Sequence, residues 1–185
     1  MKLGTKSILF GAHQFLWHPV SVLLAWRKLY KSWPDWAELI SIFFHDIGYW
    51  GLPNMDGPEG RQHPYAGALL ATRIVCLIKY HIWTKSPPQP GVWGSITYWN
   101  TLLHSRDIAR ELGLPTSKLY AADKCAILFD PPWLYLPRVR LSGELREYKQ
   151  RAIRSGHIPS NATDREWYNF YRNNVINRPD IKKLL

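Results

Sequence analysis

Cysteine is scarce in this sequence, which has two cysteines, Cys76 and Cys125, among 185 residues. Both lie in apolar runs, at residues 74–78 and 125–129, and neither belongs to a Cys-x-x-Cys pair. Disulfide scaffolds and cysteine-based zinc sites need more cysteines at closer spacing. The sequence therefore predicts two buried core thiols in a reducing compartment.

Long hydrophobic runs are also missing. No segment approaches the ~20 apolar residues that span a bilayer. The apolar stretch near the N-terminus is interrupted by His13, Gln14 and His18, too early for the hydrophobic region of a signal peptide. We therefore predict a cytoplasmic protein without a membrane partner.

Acidic residues are few, because 14 Asp and Glu stand against 24 Lys and Arg and leave a formal net charge of +10. Much of the excess lies beyond residue 137. The basic residues there include Arg138, Arg140, Arg146, Lys149, Arg151, Arg154, Arg165 and Arg172. They predict either a solvated basic tail or a surface that attracts anions such as nucleotides or nucleic acid.

The sequence does contain helical periodicity. Apolar residues recur at helical spacing, no convincing strand alternation occurs, and Gly and Pro divide the chain into segments. We predict an all-α fold of one domain. The predicted segments are a helix over 19–31, a second helix that begins at 32–35 and ends at 45–48, a loop over 51–62, a helix that opens at His63-Pro64, a loop over 86–91, a helix over 93–112, a helix capped by Thr116 that runs to about 129, and a last helix opened by a capping box at 163–166.

Four polar sites interrupt the apolar helices, namely His45-Asp46, His63, His104 and Asp123. Burying an unpaired carboxylate is costly, so a buried Asp beside a buried His requires a compensating cation. A divalent metal ion ligated by imidazole and carboxylate meets that requirement. The adjacent side chains of His45 and Asp46 can face one ion only where the backbone is irregular. Gly48 is the predicted end of this helix and permits such a backbone.

The residues that carry this chemistry resemble a known family. His18, the string FFHDIG that contains His45 and Asp46, and Asp123 in AADKC resemble the HD-domain superfamily of metal-dependent phosphohydrolases. The HPxxG pattern that begins at His63 and the helix that carries His104 resemble the two extra histidines of its binuclear members. The resemblance covers residues 13 to about 130. It implies a helical bundle with metals at its centre over residues 1–135, and it leaves a basic helical extension at 136–185 that packs on or trails the same domain.

The function that the resemblance implies is hydrolysis of a phosphoester or phosphoanhydride, most often of a nucleotide, by metal-activated water. The implied cofactor is one or two divalent ions of Mn, Fe, Co, Zn or Mg. Asp46 would bridge two ions, or ligate one ion and orient the water. The implied metal ligands are His18, His45, Asp46, His63, His104 and Asp123.

The chain departs from the family pattern at Tyr49. Many members carry Lys directly after HDIG, and others carry a helper Glu at this position. Glu59 or Asp56 in the following loop is the predicted substitute for the helper base, with Glu59 assigned a catalytic role. Arg61 is predicted to bind a phosphate group of the substrate.

Several alternatives stay open. His13 competes with His18 as the first ligand. One regular helix would turn the two rings to different faces, so only one of them is expected to be the ligand, and His18 is favoured. His63 and His104 decide between one ion and two, since the former could be a solvent-exposed histidine and the latter an ordinary core histidine.

The competing functions are a di-iron oxygenase built on the same ligands and a nucleic-acid-binding protein that uses the basic C-terminal region. The Trp- and Pro-rich stretch at 131–140 is a candidate interface of a homo-oligomer.

Overall fold

The computed structural model describes residues 1–82 and 92–184, and over these residues the fold is all-α, as the sequence predicts. No strand occurs among them, and none of their helices has both the length and the hydropathy needed to cross a lipid bilayer. The predicted loop over 86–91 lies outside the described residues. The helices are α1 (Leu3–Phe10), α2 (Trp17–Tyr30), α3 (Trp36–Phe44), α4 (His63–Ile82), α5 (Val92–Leu102), α6 (Arg106–Glu111), α7 (Lys118–Cys125), α8 (Pro132–Ser142), α9 (Glu144–Arg154), α10 (Asp164–Asn177) and α11 (Pro179–Lys182).

Two helices begin at capping boxes. At the start of α3, the side chain of Asp35 accepts a hydrogen bond from the backbone N–H of Glu38, whose carboxylate in turn accepts one from the backbone N–H of Asp35. Thr163 and Glu166 form the same reciprocal pair at the start of α10. Such pairs satisfy backbone donors that have no partner inside a helix, so both helices start where the sequence predicts.

The single helix predicted over 93–112 is wrong, because the structure breaks it into α5 and α6. Ser105 adopts extended backbone, and its hydroxyl accepts a hydrogen bond from the N–H of Ile108, which starts a new helix. His104 lies in the break between the two helices. Apolar periodicity continues across this break, which is why the sequence does not show it.

The predicted cap of α7 is also displaced by one residue. Ser117, not Thr116, occupies the N-cap position, and its hydroxyl donates to the carbonyl oxygen of Asn100 at 2.7 Å instead of capping the helix. Among the described residues, four helices were not predicted individually, namely α1 and, within or beside the helical extension expected over 136–185, α8, α9 and α11. Pro132 opens α8, because its missing N–H costs nothing in the first turn of a helix.

Most of the described helices pack as two groups around separate apolar clusters, and a third, small cluster of Ile8, Tyr49 and Met55 lies beside α1. In the larger group, α2 packs on α7, and residues from α8, α9, α10 and α11 join the same core, which buries Trp26, Leu119 and Tyr168. In the smaller group, α4 packs on α3 and α5, and Ala68 and Leu102 are buried between them. The candidate ligands lie where these two groups meet.

The C-terminal residues belong to the larger core. Trp167, Tyr168 and Val175 of α10 lie in one cluster with Val22 and Ala25 of α2. The expected boundary at residue 135 therefore falls inside α8, whose inner face contributes to that same cluster.

The two thiols differ in their surroundings. Both cysteines are free. Cys125 is fully buried in the larger core, as predicted, whereas Cys76 on α4 is half-buried.

Candidate metal centre

Four side chains converge in a first group formed by His18, His45, Asp46 and Asp123. Each offers one ligand atom, and these atoms lie within 4.8 Å of one another. The Nε2 atoms of His18 and His45 lie 3.1 and 3.0 Å from Oδ2 of Asp46. The same two nitrogens lie 3.2 and 3.7 Å from Oδ1 of Asp123. Helices far apart in sequence thus bring together two imidazoles and two carboxylates.

A second group shares Asp46 with the first. His63 and His104 place their Nε2 atoms 3.5 and 3.7 Å from Oδ1 of Asp46, and the two Nε2 atoms lie 3.1 Å apart. Asp46 therefore directs one carboxylate oxygen to each group. The sequence alone does not decide whether His63 and His104 belong to the centre. The structure brings both to Asp46, the carboxylate that His18 and His45 also approach.

All six side chains are buried, with less than a tenth of the surface of each residue exposed. For His63 the alternative of a solvent-exposed residue is wrong, because its ring lies between Asp46 and His104 and stacks on Tyr49 at a centroid distance of 3.8 Å. Tyr49 thus packs against His63 from the position at which many members of the resembled family carry Lys.

Backbone carbonyls fix the orientation of three rings. The Nδ1–H groups of His45, His63 and His104 donate to the carbonyl oxygens of Ile42, Gly60 and Thr101, in each case three residues earlier. A carbonyl can only accept, so Nδ1 carries the proton and Nε2 is left to face the centre. Such outer hydrogen bonds are how proteins orient metal-ligating histidines.

The orientation creates a conflict that a cation removes. In the neutral tautomer that the carbonyls select, the Nε2 atoms of His63 and His104 point lone pairs at each other across 3.1 Å. In the first group, Oδ2 of Asp46 is buried and has no hydrogen-bond partner. Buried polar atoms are normally satisfied. A metal ion in each group would accept these lone pairs, so the donor set fits divalent cations.

The charges of the first group also favour a bound cation. Burial opposes ionisation of both carboxylates. The neighbouring His45 outweighs this effect at Asp46, and Lys124 outweighs it at Asp123, so both pKa values are held well below their ordinary range. Burial lowers the pKa of His45, yet Asp46 and then Asp123 raise it to about 10. The two carboxylates therefore attract a positive charge into this position. A metal cation supplies the same charge.

Histidines of the second group behave differently. Burial and, to a smaller extent, electrostatic repulsion by His104 lower the pKa of His63 well below its ordinary value. Burial also lowers the pKa of His104. Both rings are thus held neutral, which is the state in which imidazole ligates a metal.

Two glycines allow the ligand-bearing segments to approach each other. A Cβ atom on Gly48 would lie 2.0 Å from the carbonyl oxygen of His63, and a Cβ on Gly67 would lie 2.3 Å from that of His45. Gly48 has no positive φ, so its role is this close approach and not the left-handed helix end for which the sequence suggested it. The glycines of the HDIG and HPxxG patterns therefore bring α4 against the end of α3.

His13 lies just outside the first group. Its Nε2 atom is 4.0 Å from Oδ2 of Asp46, compared with 3.1 Å for His18. The assumption that both histidines occupy one regular helix is wrong, because α2 begins at Trp17 and His13 lies in the turn before it. Both rings can therefore approach the same carboxylate from different sides.

Glu59, Asp56 and Arg61 do not join either group. The carboxylate of exposed Glu59 accepts a hydrogen bond from Asn54 at 2.7 Å, which lowers its pKa and moves it away from that of a base poised near neutrality. Asp56 pairs with Arg151 at 2.8 Å. Arg61 is exposed and lies 3.9 Å from Asp107. Each predicted helper thus pairs with a residue outside the centre.

Part of the basic excess is used inside the fold. Arg138 pairs with Asp130, while Arg140 and Lys149 both bind Asp164. These residues are neither a trailing tail nor entirely free to attract anions, because carboxylates of the same chain neutralise them.

Comparison of the chain with protein-family models, with curated proteins and with solved structures gives no match. The resemblance to the HD-domain superfamily therefore stays a prediction from the motifs.

Proposed function

We propose that this protein is a metal-dependent phosphohydrolase that cleaves a phosphoester or phosphoanhydride of a nucleotide. The observation that carries the proposal is the sharing of Asp46, whose two oxygens face two separate groups of histidines. A carboxylate placed in this way suits a pair of divalent ions. The proposed ligands are His18, His45, Asp46 and Asp123 for one ion, and Asp46, His63 and His104 for the other.

Divalent ions in these groups would supply a water nucleophile at neutral pH and neutralise charge on the phosphoryl group. The side chains of the chain itself hold the geometry. His45, His63 and His104 are locked by backbone carbonyls, and the carboxylate of Asp46 is fixed between them. Burial of all six groups keeps bulk water out, which strengthens electrostatic interactions with an anionic substrate.

The choice of a nucleotide rests on charge and on one exposed aromatic ring. The net charge of +10 favours anionic substrates in general. Trp50 follows the ligand pair by four residues and is 56% exposed, which suits stacking on a base.

Metal content and phosphate release together test the proposal. Purified protein is loaded with manganese, cobalt, zinc or iron, its bound ions are counted, and phosphate release is measured on a panel of nucleotides. We expect wild type to hold two ions, Asp46→Asn to lose both, and His63→Ala combined with His104→Ala to lose one. His157→Ala is the matched control, since this exposed histidine contacts Phe170 away from the centre.

The proposal fails if folded wild type binds no ion. It also fails if the loaded protein releases no phosphate from any nucleotide in the panel.

A di-iron oxygenase is the second candidate, and the donor set is what favours it. Four imidazoles around two carboxylates suit iron as well as zinc or manganese. Selective retention of iron with oxygen consumption, and without phosphate release, would replace the first proposal by this one.

A further inference from the structure

One side of α2 is buried and the other side is exposed. The buried side contributes Val22, Ala25 and Trp26 to the larger core. The exposed residues recur at spacings of three and four, which places them along one stripe of the helix. They are Trp17, Val20, Leu24, Arg27 and Lys28, and Lys31 follows at the end of the helix. These six residues are called the α2 stripe below.

The first half of the α2 stripe is apolar. Trp17, Val20 and Leu24 are each more than a third exposed. In the turn before the helix, Phe15 and Leu16 are exposed as well, Leu16 by 60%. A single exposed apolar side chain is ordinary on a protein surface, but a contiguous group of this kind marks a surface that binds a partner or a membrane.

The exposed part of Trp17 is entirely apolar. The indole N–H is the only polar group of this side chain, and it donates to Oδ1 of Asp130 at 3.2 Å. The remainder of the ring leaves 37% of the residue exposed. Transfer of this ring into an apolar medium therefore breaks no hydrogen bond to water.

The second half of the α2 stripe is basic and is not neutralised. Residues 1–34 contain no Asp or Glu, and the first acidic residue, Asp35, uses its carboxylate to cap α3. The Lys and Arg residues that form ion pairs in the described part of the chain all lie outside the α2 stripe. Three exposed cations thus follow directly after the apolar half.

This order of side chains distinguishes between classes of partner. Pairing of the α2 stripe with the same stripe of a second copy would bury its cations without a carboxylate. A nucleic acid would attract the cations but would gain little from Val20 and Leu24, because bases stack on aromatic rings. An anionic lipid surface satisfies both halves, since its acyl region accepts apolar side chains and its head groups attract Lys and Arg.

An exposed tryptophan beside the basic half favours the same partner. The guanidinium of Arg27 lies 5.7 Å from the centroid of the Trp33 ring, and Trp33 is 61% exposed. Tryptophan is enriched at the boundary between lipid head groups and acyl chains, where one part of the ring is wet and the other is apolar.

We propose that the protein binds anionic membranes peripherally through the α2 stripe together with Phe15, Leu16 and Trp33. The sequence prediction of no membrane partner considers spanning segments and signal peptides, and a peripheral contact needs neither. The inference goes beyond the proposed function and does not depend on it. Because His18 follows Trp17 in the same helix, such a contact would hold the candidate centre near the lipid surface.

Vesicle sedimentation of the full chain tests the inference. One set of vesicles contains phosphatidylcholine alone, and the other contains phosphatidylcholine and phosphatidylserine in equal amounts. Leu16→Ser combined with Leu24→Ser changes the apolar half, and Lys28→Glu combined with Lys31→Glu changes the basic half. All four positions are exposed, so folding should be retained, and unfolding midpoints and sedimentation without vesicles are measured in parallel.

Matched control pairs come from two other helices. Leu69→Ser combined with Leu77→Ser changes two exposed leucines of α4. Arg146→Glu combined with Arg154→Glu reverses two exposed cations of α9 and changes the net charge as much as the lysine pair does.

We expect wild type to sediment with the vesicles that contain phosphatidylserine and to remain in solution with phosphatidylcholine alone. The lysine pair and the leucine pair of the α2 surface should each weaken binding by at least about tenfold. Added salt should weaken binding by wild type, because it screens exposed charges. Both control pairs should bind as wild type does.

Three results would overturn the inference. The first is a wild type that stays in solution with both kinds of vesicle. The second is an equal loss of binding in the control pairs, since binding would then follow net charge or general hydrophobicity. The third is a wild type that is dimeric in size-exclusion chromatography and becomes monomeric in the Leu16 and Leu24 variant, which would assign this surface to a second copy.

Discussion

Replacement of Gly67 by alanine tests whether the contact between α4 and the end of α3 holds the candidate centre together. The added Cβ would lie 2.3 Å from the carbonyl oxygen of His45 and 3.0 Å from that of Phe44. Both are backbone atoms and cannot rotate away. Since non-bonded heavy atoms prefer roughly 3.5 Å, α4 must move by on the order of 1 Å.

The stability effect follows from two opposing terms. Alanine inside a helix is favoured over glycine by about 1 kcal/mol. Forcing an extra methyl group into a packed contact costs about 1–3 kcal/mol, and more where only backbone can yield. We therefore expect Gly67→Ala to lower the free energy of unfolding by about 1–2 kcal/mol. The shift of α4 also carries His63 away from Asp46 and should weaken binding of the second ion.

Gly94→Ala is the matched control. Gly94 is likewise a buried helical glycine that faces α4, but a Cβ there would meet the side chain of Cys76 at 3.3 Å and that of Thr72 at 3.6 Å. These side chains can adjust, so this variant should be neutral or stabilised by up to about 1 kcal/mol. Urea unfolding of the metal-free proteins measures the first effect, and metal titration measures the second. Equal stability and equal metal binding in both variants would refute the reasoning.

Two further predictions concern the start of α10. Thr163→Ala removes the hydroxyl that accepts a hydrogen bond from the N–H of Glu166 and should cost about 1 kcal/mol in urea unfolding, and an unchanged midpoint would contradict the assignment of the cap. Burial opposes ionisation of Asp164, but hydrogen bonds from Lys149 and Arg140 outweigh it and lower its pKa below the ordinary 3.8. Its stabilisation should therefore be present above pH 3.8 and be lost as the pH falls through the lower, folded-state pKa. Asp164→Asn should thus be less stable than wild type by about 0.5–1 kcal/mol at neutral pH and equally stable in strong acid, and a difference that persists in acid would contradict the ion pairs.

The sequence predicts the candidate centre better than it predicts the fold around it. His45, Asp46 and Asp123 are polar residues inside apolar helical segments, a pattern whose electrostatic cost can be judged without coordinates. His63 and His104 share this pattern, and the structure brings both to Asp46. Burial and charge thus identify candidate ligands even where helix boundaries are misplaced.

The features that the sequence did not reveal depend on local turn chemistry and on contacts between distant segments. The break at His104 is stabilised by local capping at Ser105, which apolar periodicity does not register. The carboxylate of the buried Glu144 accepts a hydrogen bond from the hydroxyl of Ser7, 137 residues away in the chain. Nothing in the neighbouring sequence distinguishes this residue from the exposed glutamates of an amphipathic helix. Glu59 lies close to the HDIG pattern in the sequence, but its loop turns the side chain to Asn54. A short separation in sequence therefore does not bring this carboxylate to the centre.

The positions of the candidate ligands along their helices explain how their rings are oriented. His45 follows α3, His63 opens α4, and His104 follows α5. The last carbonyls of a helix lack partners within it, and those of Ile42 and Thr101 accept the Nδ1–H groups of His45 and His104. The same helix ends therefore satisfy their own backbone and orient the ligands.

Other polar side chains cannot replace histidine at these helix ends. The amide of asparagine lies near the position of Nδ1 and that of glutamine near the position of Nε2, so neither side chain at His45 or His104 reaches both the helix-end carbonyl and the centre. The arrangement thus selects histidine for its two ring nitrogens, one bound to the fold and the other directed at Asp46.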